Sequence, residues 1–410
     1  MVDSIGRRCR NLRSPLMRRR RRNLRSPKAR RGAGTCGCAV RARLSLCGGG
    51  ARRLKVLMFG ARKRNERQRF LMQIDLKARV RYLTNRLRNF NPGRIWELAQ
   101  KIGKEHNRAT FPIFVDMLYS AAFKDTAFID YYEADFASLT RAERKTFMTS
   151  LLQHHIAVKV NDQKIAEENF ISKLNFNRRF EKYLGREWLD LNIADAAALE
   201  AFAERHPVFI AKVPISREGH GVFRYEAKDV TDWPAFYAEL VSKDQMLIEE
   251  KITQHPYLAE YCAGTVNTTR ITSYFDGTDV HILVRVQKFG RGSVSDQFSW
   301  GGFFTMLDEN GKAVGRGHNG KNDTFYENHP DSGKSIIDFQ VPLWDEVVAL
   351  ITEVAQIVPE VPYIGWDVAV GPNSPILIEG NWIPGLYESR VLATGIRRGT
   401  RPAHEAVMTF

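Results

Sequence analysis

The stretch from Tyr363 to Gly385, YIGWDVAVGPNSPILIEGNWIPG, constrains the fold more than any other part of the chain. Two short apolar runs, YIGWDVAV and PILIE, flank the turn-forming cluster GPNS, and this pattern predicts a β-hairpin. Side chains alternate between faces along a strand, so Trp366, Val368 and Val370 share one face and Asp367 takes the other. In the second strand Ile376 and Ile378 share a face, and Glu379 and Asn381 lie two apart on the opposite one. A register symmetric about Asn373 sets Asp367 across from Glu379. One face is then apolar, and the other carries two carboxylates and an amide oxygen. Three hard oxygen ligands on a rigid scaffold suit Mg²⁺, which completes its shell with water and phosphate oxygens. The alternative is a merely solvated outer face. Three oxygens converging between apolar neighbours favour the metal.

The chain has 410 residues and a net charge of +16, which would suggest a nucleic-acid partner if the charge were spread evenly. It is not. Residues 1–53 hold 17 basic residues against Asp3 alone, and the remainder holds 45 basic and 45 acidic residues. Four of the five cysteines (Cys9, Cys36, Cys38, Cys47) also fall in this tail. A single cysteine, Cys262, in the body excludes a disulfide framework and suits a reducing, cytoplasmic setting. No apolar run reaches the ~18 residues of a membrane span.

Three regions follow. Residues 1–53 are low in complexity, with NLRSP appearing twice, and predict a disordered Arg-rich tail. It is either a basic arm for nucleic acid or an acidic membrane surface, or the product of a start assigned upstream of Met58 or Met72; the break in composition at residue 53 favours the second. Residues 54–155 read as a helical cap: LKARVRYLTNRLRNF and GRIWELAQKIGKEH have helical apolar spacing, and SLTRAERKTFMTSLLQHHI opens on Ser138. From 156 to 400 strands mix with helices. HIAVKVNDQK ends in a short strand, residues 228–240 form a helix, and 309–340 form a polar loop. Several hairpins and no regular βαβ repeat predict an α+β fold with largely antiparallel sheets.

Lys212 interrupts the apolar strand VFIAKVP and must desolvate its charge unless an anion pairs with it. An edge lysine reaching to solvent is the plainer reading, but the SREGHG turn that follows can close backbone N–H groups over phosphate oxygens. LIEEK is a strand ending in two acids. Arg270 and Arg285 each interrupt an apolar strand and suit bidentate pairing with phosphate or carboxylate.

Taken together these residues resemble the ATP-grasp superfamily over about residues 156–390. Lys164 looks like its first-lobe lysine, and Lys212 with Ser216, Gly219 and Gly221 looks like its phosphate-binding lysine and glycine loop. Glu249, Glu250 and the backbone near Ile252 resemble the adenine hinge, Arg270 the triphosphate-binding arginine, and Asp367, Glu379 and Asn381 the D…E-x-N metal set. VNTTRI, GRGSVSDQFSWGG, HPDSG and LIEGN are similar to the sugar-transfer-associated branch, met near polysaccharide biosynthesis genes. Two departures stand out: His220 lies in the glycine loop, and the region before residue 156 is helical where the family usually has an α/β domain.

The resemblance implies two α+β lobes clasping ATP and Mg²⁺, with a helical N-terminal cap. It implies a ligase that activates a carboxylate as an acyl phosphate and joins it to an amine or hydroxyl, with a small-molecule carboxylate and an amine or sugar acceptor as partners. Lys212, Arg270 and Arg285 are its candidate catalytic residues, and Arg285, Asp296 and His329 its candidate substrate contacts. A kinase phosphorylating a sugar hydroxyl is the nearer alternative. A nucleic-acid-binding protein led by the arginine tail is the farther one, and the neutral body argues against it.

Overall fold

The computed structural model describes residues 91–216, 219–320 and 324–408. The arginine tail and the LKARVRYLTNRLRNF stretch lie outside the described residues.

The helical region begins at α1 (Pro92–Glu105), where the Asn91 side chain accepts the Arg94 N–H at 3.1 Å and Pro92 occupies the first turn. It continues through α2 (Thr110–Phe123) and α3 (Phe128–Glu133) to the short α4 (Arg141–Arg144). Ile95, Ala99, Met117, Tyr131, Phe136 and Phe147 form their common core. Thr140, not Ser138, starts α4, because Glu143 three residues on closes a reciprocal capping box while the Ser138 hydroxyl donates to the Asp135 carbonyl. Helix α5 (Ser150–Val160) runs through the expected strand in HIAVKVNDQK. Leu152, Ile156 and Ala157 recur at helical spacing and bury against a sheet, so packing decides for helix.

Helices α6 (Gln163–Phe170) and α7 (Lys173–Phe180) lead into a four-stranded antiparallel sheet. Its strands are β1 (Trp188–Asp190), β2 (Val208–Lys212), β3 (Val222–Glu226) and β4 (Leu247–Glu250), in the order β1-β4-β2-β3. One face packs Phe209, Ala211 and Ile248 on α8 (Ala196–Arg205) and α9 (Trp233–Ser242). Helix α9 starts later than its apolar pattern suggests, because Asp232 accepts the Ala235 N–H and Pro234 sits in the first turn.

After the short α10 (Pro256–Ala259) comes a seven-stranded antiparallel sheet, ordered β11-β10-β5-β6-β7-β8-β9. It comprises β5 (Thr268–Phe275), β6 (Val280–Phe289), β7 (Phe303–Met306), β8 (Gly317–Asn319), β9 (Thr324–Tyr326), β10 (Tyr363–Val370) and β11 (Pro375–Asn381). Strands β8 and β9 arise inside the stretch expected to be loop. Gly317 permits this, since a Cβ there would stand 2.6 Å from the Phe303 ring.

Both faces of this sheet are covered, as eight consecutive buried residues in β10 require. Ile271, Phe289, Trp366, Val368 and Leu377 face α6, α7 and α11 (Trp344–Val354). Tyr274, Val284, Val286, Phe304 and Tyr363 face α5. The chain ends with α12 (Val391–Thr394) and α13 (Arg401–Val407). Arg390, fully buried before α12, pairs with Glu105 at 3.0 Å and Asp135 at 3.3 Å and so fastens the helical region to the C-terminal segment. The architecture is the expected α+β arrangement of two sheets with a helical region ahead of them.

Candidate functional site

The β10–β11 hairpin turns through Gly371–Ser374 and sets Asp367 opposite Glu379, as the sequence predicts. The register is not symmetric, however. Val368 pairs with Leu377, so Ile378 is an extra residue in a β-bulge. Leu377 takes the core position beside Val368, and Ile378 does not. Without the bulge Ile378 would oppose Asp367, and Glu379 would turn toward Trp366. The extra residue restores Glu379 and Asn381 to the polar face.

On its other edge β10 pairs with β5, and Arg270 stands opposite Asp367. One row across three strands therefore reads Arg270, Asp367, Glu379. Arg270 Nε donates to Asp367 Oδ1 at 2.7 Å and Nη2 to Oδ2 at 2.6 Å. Lys288 Nζ reaches Asp367 Oδ1 at 3.0 Å and stands 3.6 Å from Asp296 Oδ1. Asp296 Oδ2 in turn accepts the Thr268 N–H at 2.9 Å and its hydroxyl at 2.5 Å. Burial alone would lift the Asp367 carboxyl, but Arg270 and Lys288 outweigh it and hold the group well below the usual carboxylate range. Burial likewise opposes charge on Lys288, and Asp296 and Asp367 raise it above the ordinary lysine value.

The donor set fits a hard divalent cation. Of roughly four lone-pair directions on the Asp367 carboxylate, three are taken and one on Oδ2 remains. Glu379 is half-buried, and its Oε1 accepts from the Asn381 amide at 3.3 Å. One open direction on Asp367, with Glu379 and Asn381 beside it, matches the sparse protein shell of Mg²⁺.

The second half of the site comes from the smaller sheet. Lys212 and Glu249 share the face of that sheet turned away from its helical core, and their side chains form an ion pair. Glu249 Oε1 also accepts from Asn177 and from Arg186, each at 2.8 Å. Arg186 donates further to the carbonyl of Leu377 at 2.7 Å, which ties this cluster to the hairpin. Burial works to raise the Glu249 carboxyl, and Arg186 and Lys212 more than reverse it. The Glu249 side chain is thus spent on internal cations. The Glu250 carboxylate accepts the Glu187 N–H at 3.0 Å, and Ile252 follows in the loop after β4.

Other expected residues divide. Asp296 joins the Asp367 cluster. Ser216 accepts from Lys173 Nζ at 3.0 Å. Gly219 and Gly221 both have left-handed backbones, at φ +74° and +78°. A Cβ on Gly219 would lie 2.7 Å from Ser295, so this turn touches the loop before β7. Lys164 is exposed in the first turn of α6, and among the described residues no hydrogen bond or ion pair joins its side chain to this cluster. Arg285 sits opposite Ile271, on the face away from Asp367, with Asp308 and Glu309 acting on its charge. His329 is buried against Phe289 and Phe303, its Nε2 2.9 Å from the Gly290 carbonyl oxygen, and supports the loop rather than lining the cluster.

The sequence reading missed Lys173, Lys288, Asn177 and Arg186. Lys173 acts electrostatically on Lys212, Glu249 and Glu379 together, which puts it between the two halves; burial, the largest influence, lowers its pKa. Parity puts Lys288 on the face of Val284 and Val286, and the pairing of Val286 with Arg270 makes that the face of Asp367. Arg285 fails the same test.

Residues 231–398 match a family described as sugar-transfer associated ATP-grasp. No curated protein matches the chain. Among solved structures, the ATP-grasp ligase PsnB with its minimal precursor aligns at TM-score 0.34 and 13% identity, over 58% of this chain and 61% of that one. D-alanyl-alanine synthetase A from Vibrio cholerae aligns at TM-score 0.34 and 10% identity, over 58% and 60%. A carboxyaminoimidazole ribonucleotide synthase from Aspergillus clavatus, complexed with ATP, aligns at TM-score 0.34 and 15% identity, over 57% and 50%. The chain therefore spans about three fifths, or less, of the length of these proteins.

Proposed function

We propose that this chain, sugar-transfer associated ATP-grasp over residues 231–398, is an ATP- and Mg²⁺-dependent ligase that activates a carboxylate as an acyl phosphate and joins it to an amine or hydroxyl. The observation that carries the reading is the row Arg270, Asp367, Glu379, continued by Asn381, with Lys173 in the first turn of α7 close to both Glu379 of that row and Lys212 of the smaller sheet. Cations flanking an all-oxygen metal set suit a polyphosphate.

Asp367, Glu379 and Asn381 would hold Mg²⁺, which neutralises charge on the transferring phosphoryl group. Lys173 and Lys212 would bind the phosphates, with the turn at Gly219 and Gly221 covering them. Arg270 and Lys288 keep Asp367 ionised and oriented. The carboxylate oxygen of the substrate bonds to the γ-phosphorus as the bond to the β–γ bridging oxygen breaks, giving ADP and the acyl phosphate. The amine or hydroxyl then attacks the acyl carbon, inorganic phosphate leaves, and the nucleophile gives up its proton. Catalysis on this plan is positioning and electrostatic stabilisation. Water must be kept from the acyl phosphate, a role for the contact between Gly219 and the Ser295–Trp300 loop.

The ligase acts in the assembly of envelope or extracellular sugars, a reading supported by the name of the matched family. The test is release of ADP and phosphate across a panel of carboxylates and amino sugars. Release that requires both partners supports the ligase. ADP formed with a sugar hydroxyl alone, and phosphate retained on the product, would show a kinase instead.

A further inference from the structure

Asp296 belongs to the loop between β6 and β7, yet it is buried and fixed through both its side chain and its backbone. One carboxylate oxygen, Oδ2, takes the N–H and hydroxyl of Thr268, which registers it on the strand that carries Arg270. The backbone of Asp296 lies so close to Gly302 that a Cβ there would stand 2.0 Å from the Asp296 carbonyl oxygen. The loop is pinned near its start as well. The Gly290 N–H donates to the Asn267 side chain at 2.9 Å, and the Thr265 hydroxyl donates to the Ser293 carbonyl at 2.6 Å. The remaining carboxylate oxygen, Oδ1, faces Lys288 Nζ at 3.6 Å.

Lys288 joins Asp296 to the candidate metal site. It stands 3.0 Å from Asp367 Oδ1 and 3.6 Å from Asp296 Oδ1, so one ammonium group serves two carboxylates. With Arg270 paired to Asp367, the cluster holds two cations and two anions and carries no net charge. All four side chains are 7% exposed or less, so water screens these charges little. A divalent cation that binds Asp367 depends on this balance. Without Asp296, Arg270 and Lys288 would share a single carboxylate, and their excess positive charge would oppose the ion at short range. Lys288 would also turn wholly to Asp367 and compete for its oxygens.

We propose that Asp296 is a positioning residue for the metal site: it cancels the charge of Lys288, holds that side chain back from full pairing with Asp367, and so keeps Asp367 available to Mg²⁺ without touching the ion. The inference rests on the proposed role of Asp367 in holding Mg²⁺, and it gives Asp296 a task other than contact with substrate. It also accounts for the close approach at Gly302, since a side chain there would push the Asp296 backbone, and with it the carboxylate, away from Lys288. The loop between β6 and β7 then sets the affinity of a site whose ligands lie on β10 and β11.

The experiment is thermal melting of the full chain with ATP while Mg²⁺ is titrated, in wild type, Asp296→Asn, Lys288→Met and the double variant. Asparagine keeps an oxygen for Thr268 and loses the charge. Asp296→Asn is expected to need about 10–100-fold more Mg²⁺ for half the rise in melting temperature, the range for losing a group that orients a metal ligand. Excess Mg²⁺ should bring back the full rise. Adding Lys288→Met restores the charge balance, so the double variant should return to within about threefold of the wild-type half-point. A merely structural role would lower the melting temperatures and leave the half-point where it was. Wild type whose melting does not depend on Mg²⁺ overturns the metal reading, and the proposal falls with it. Wild type that responds, beside an Asp296→Asn variant that responds at the same Mg²⁺ concentration, overturns the proposal alone. So does a shifted half-point that Lys288→Met fails to bring back, which would make Asp296 a direct contact of the ion or the substrate. Should the double variant fail to fold, the half-point of Asp296→Asn and its recovery in excess Mg²⁺ decide.

Discussion

Arg270 and Asp367 face each other across β5 and β10, and the guanidinium closes on the carboxylate at 2.7 and 2.6 Å. The pair lies on the axis of the site, with Lys288 as a third member at 3.0 Å. Asp367→Asn would leave Arg270 buried without its paired carboxylate and Lys288 with Asp296 alone. The expected loss is about 3–5 kcal/mol of stability, the range for breaking one partner of a buried ion pair. Urea unfolding checks it. In the fraction that remains folded, Mg-ATP should no longer raise the melting temperature, whereas wild type at ~100 times the dissociation constant should gain ~2.7 kcal/mol. Undiminished Mg-ATP stabilisation in the variant would remove Asp367 from the metal site.

Lys212 and Glu249 form an ion pair yet should respond differently to substitution. The Lys212 side chain keeps 14% exposure, whereas Glu249 and Arg186 keep 3% and 2%. Glu249→Gln leaves Arg186 buried without a charge partner and should cost about 3 kcal/mol or more in urea unfolding. Lys212→Met should be milder in stability and, on the proposed function, severe in nucleotide binding, because it would remove a cation from the phosphates. Equal destabilisation by both, with nucleotide affinity unchanged in Lys212→Met, would reduce Lys212 to a structural counter-ion.

Much of this could be read from the chain, and the limits have a physical pattern. The opposition of Asp367 and Glu379 was legible because turn residues and alternation fix a hairpin locally. The bulge at Ile378 was not, since it is set by packing of Leu377 beside Val368 in a core drawn from distant segments. Arg285 was named and Lys288 passed over in the same apolar run, because only the register with Arg270 tells which face each takes. Lys173, Asn177 and Arg186 lie on helix and loop positions that acquire their meaning from a sheet some 70 residues later. Helix α5 was misread in part as strand because Val158, Lys159 and Val160 alternate, and only burial against the large sheet decides the period.

His318 supplies a pH signature. It is buried in β8 with its ring 4.2 Å from Phe304, and among the described residues its Nδ1 has no hydrogen-bond partner. Burial, helped by the Arg390 charge, pulls its pKa down to about 3 from the model-peptide 6.5. A depressed base binds its proton more readily in the unfolded chain, so the stability it confers is present above pH 6.5 and lost as pH falls toward 3. His318→Phe cannot take up that proton. The difference in unfolding free energy between wild type and variant should therefore shift on the order of 3 kcal/mol in favour of the variant between pH 7 and pH 4. A difference that stays constant across this range would mean that the ring is reached by water.

The bulge can be tested by two deletions that look equivalent in sequence and are opposite in geometry. Removing Ile378 takes out the extra residue and leaves Glu379 across from Asp367, so the rise in melting temperature with Mg-nucleotide should survive. Removing Gly380 also leaves Glu379 in place, but it moves Asn381 to the position across from Trp366. That position tolerates little: even a Cβ on Gly380 would stand 2.9 Å from the Phe170 ring and 3.0 Å from Trp366. The second deletion should therefore cost about 1–3 kcal/mol from overpacking and also lose one oxygen from the metal set. Thermal melts of both proteins, with and without Mg-nucleotide, separate the two effects. If both variants respond to Mg-nucleotide as wild type does, Asn381 contributes nothing to the site, and Asp367 and Glu379 alone provide the protein's share of the metal shell.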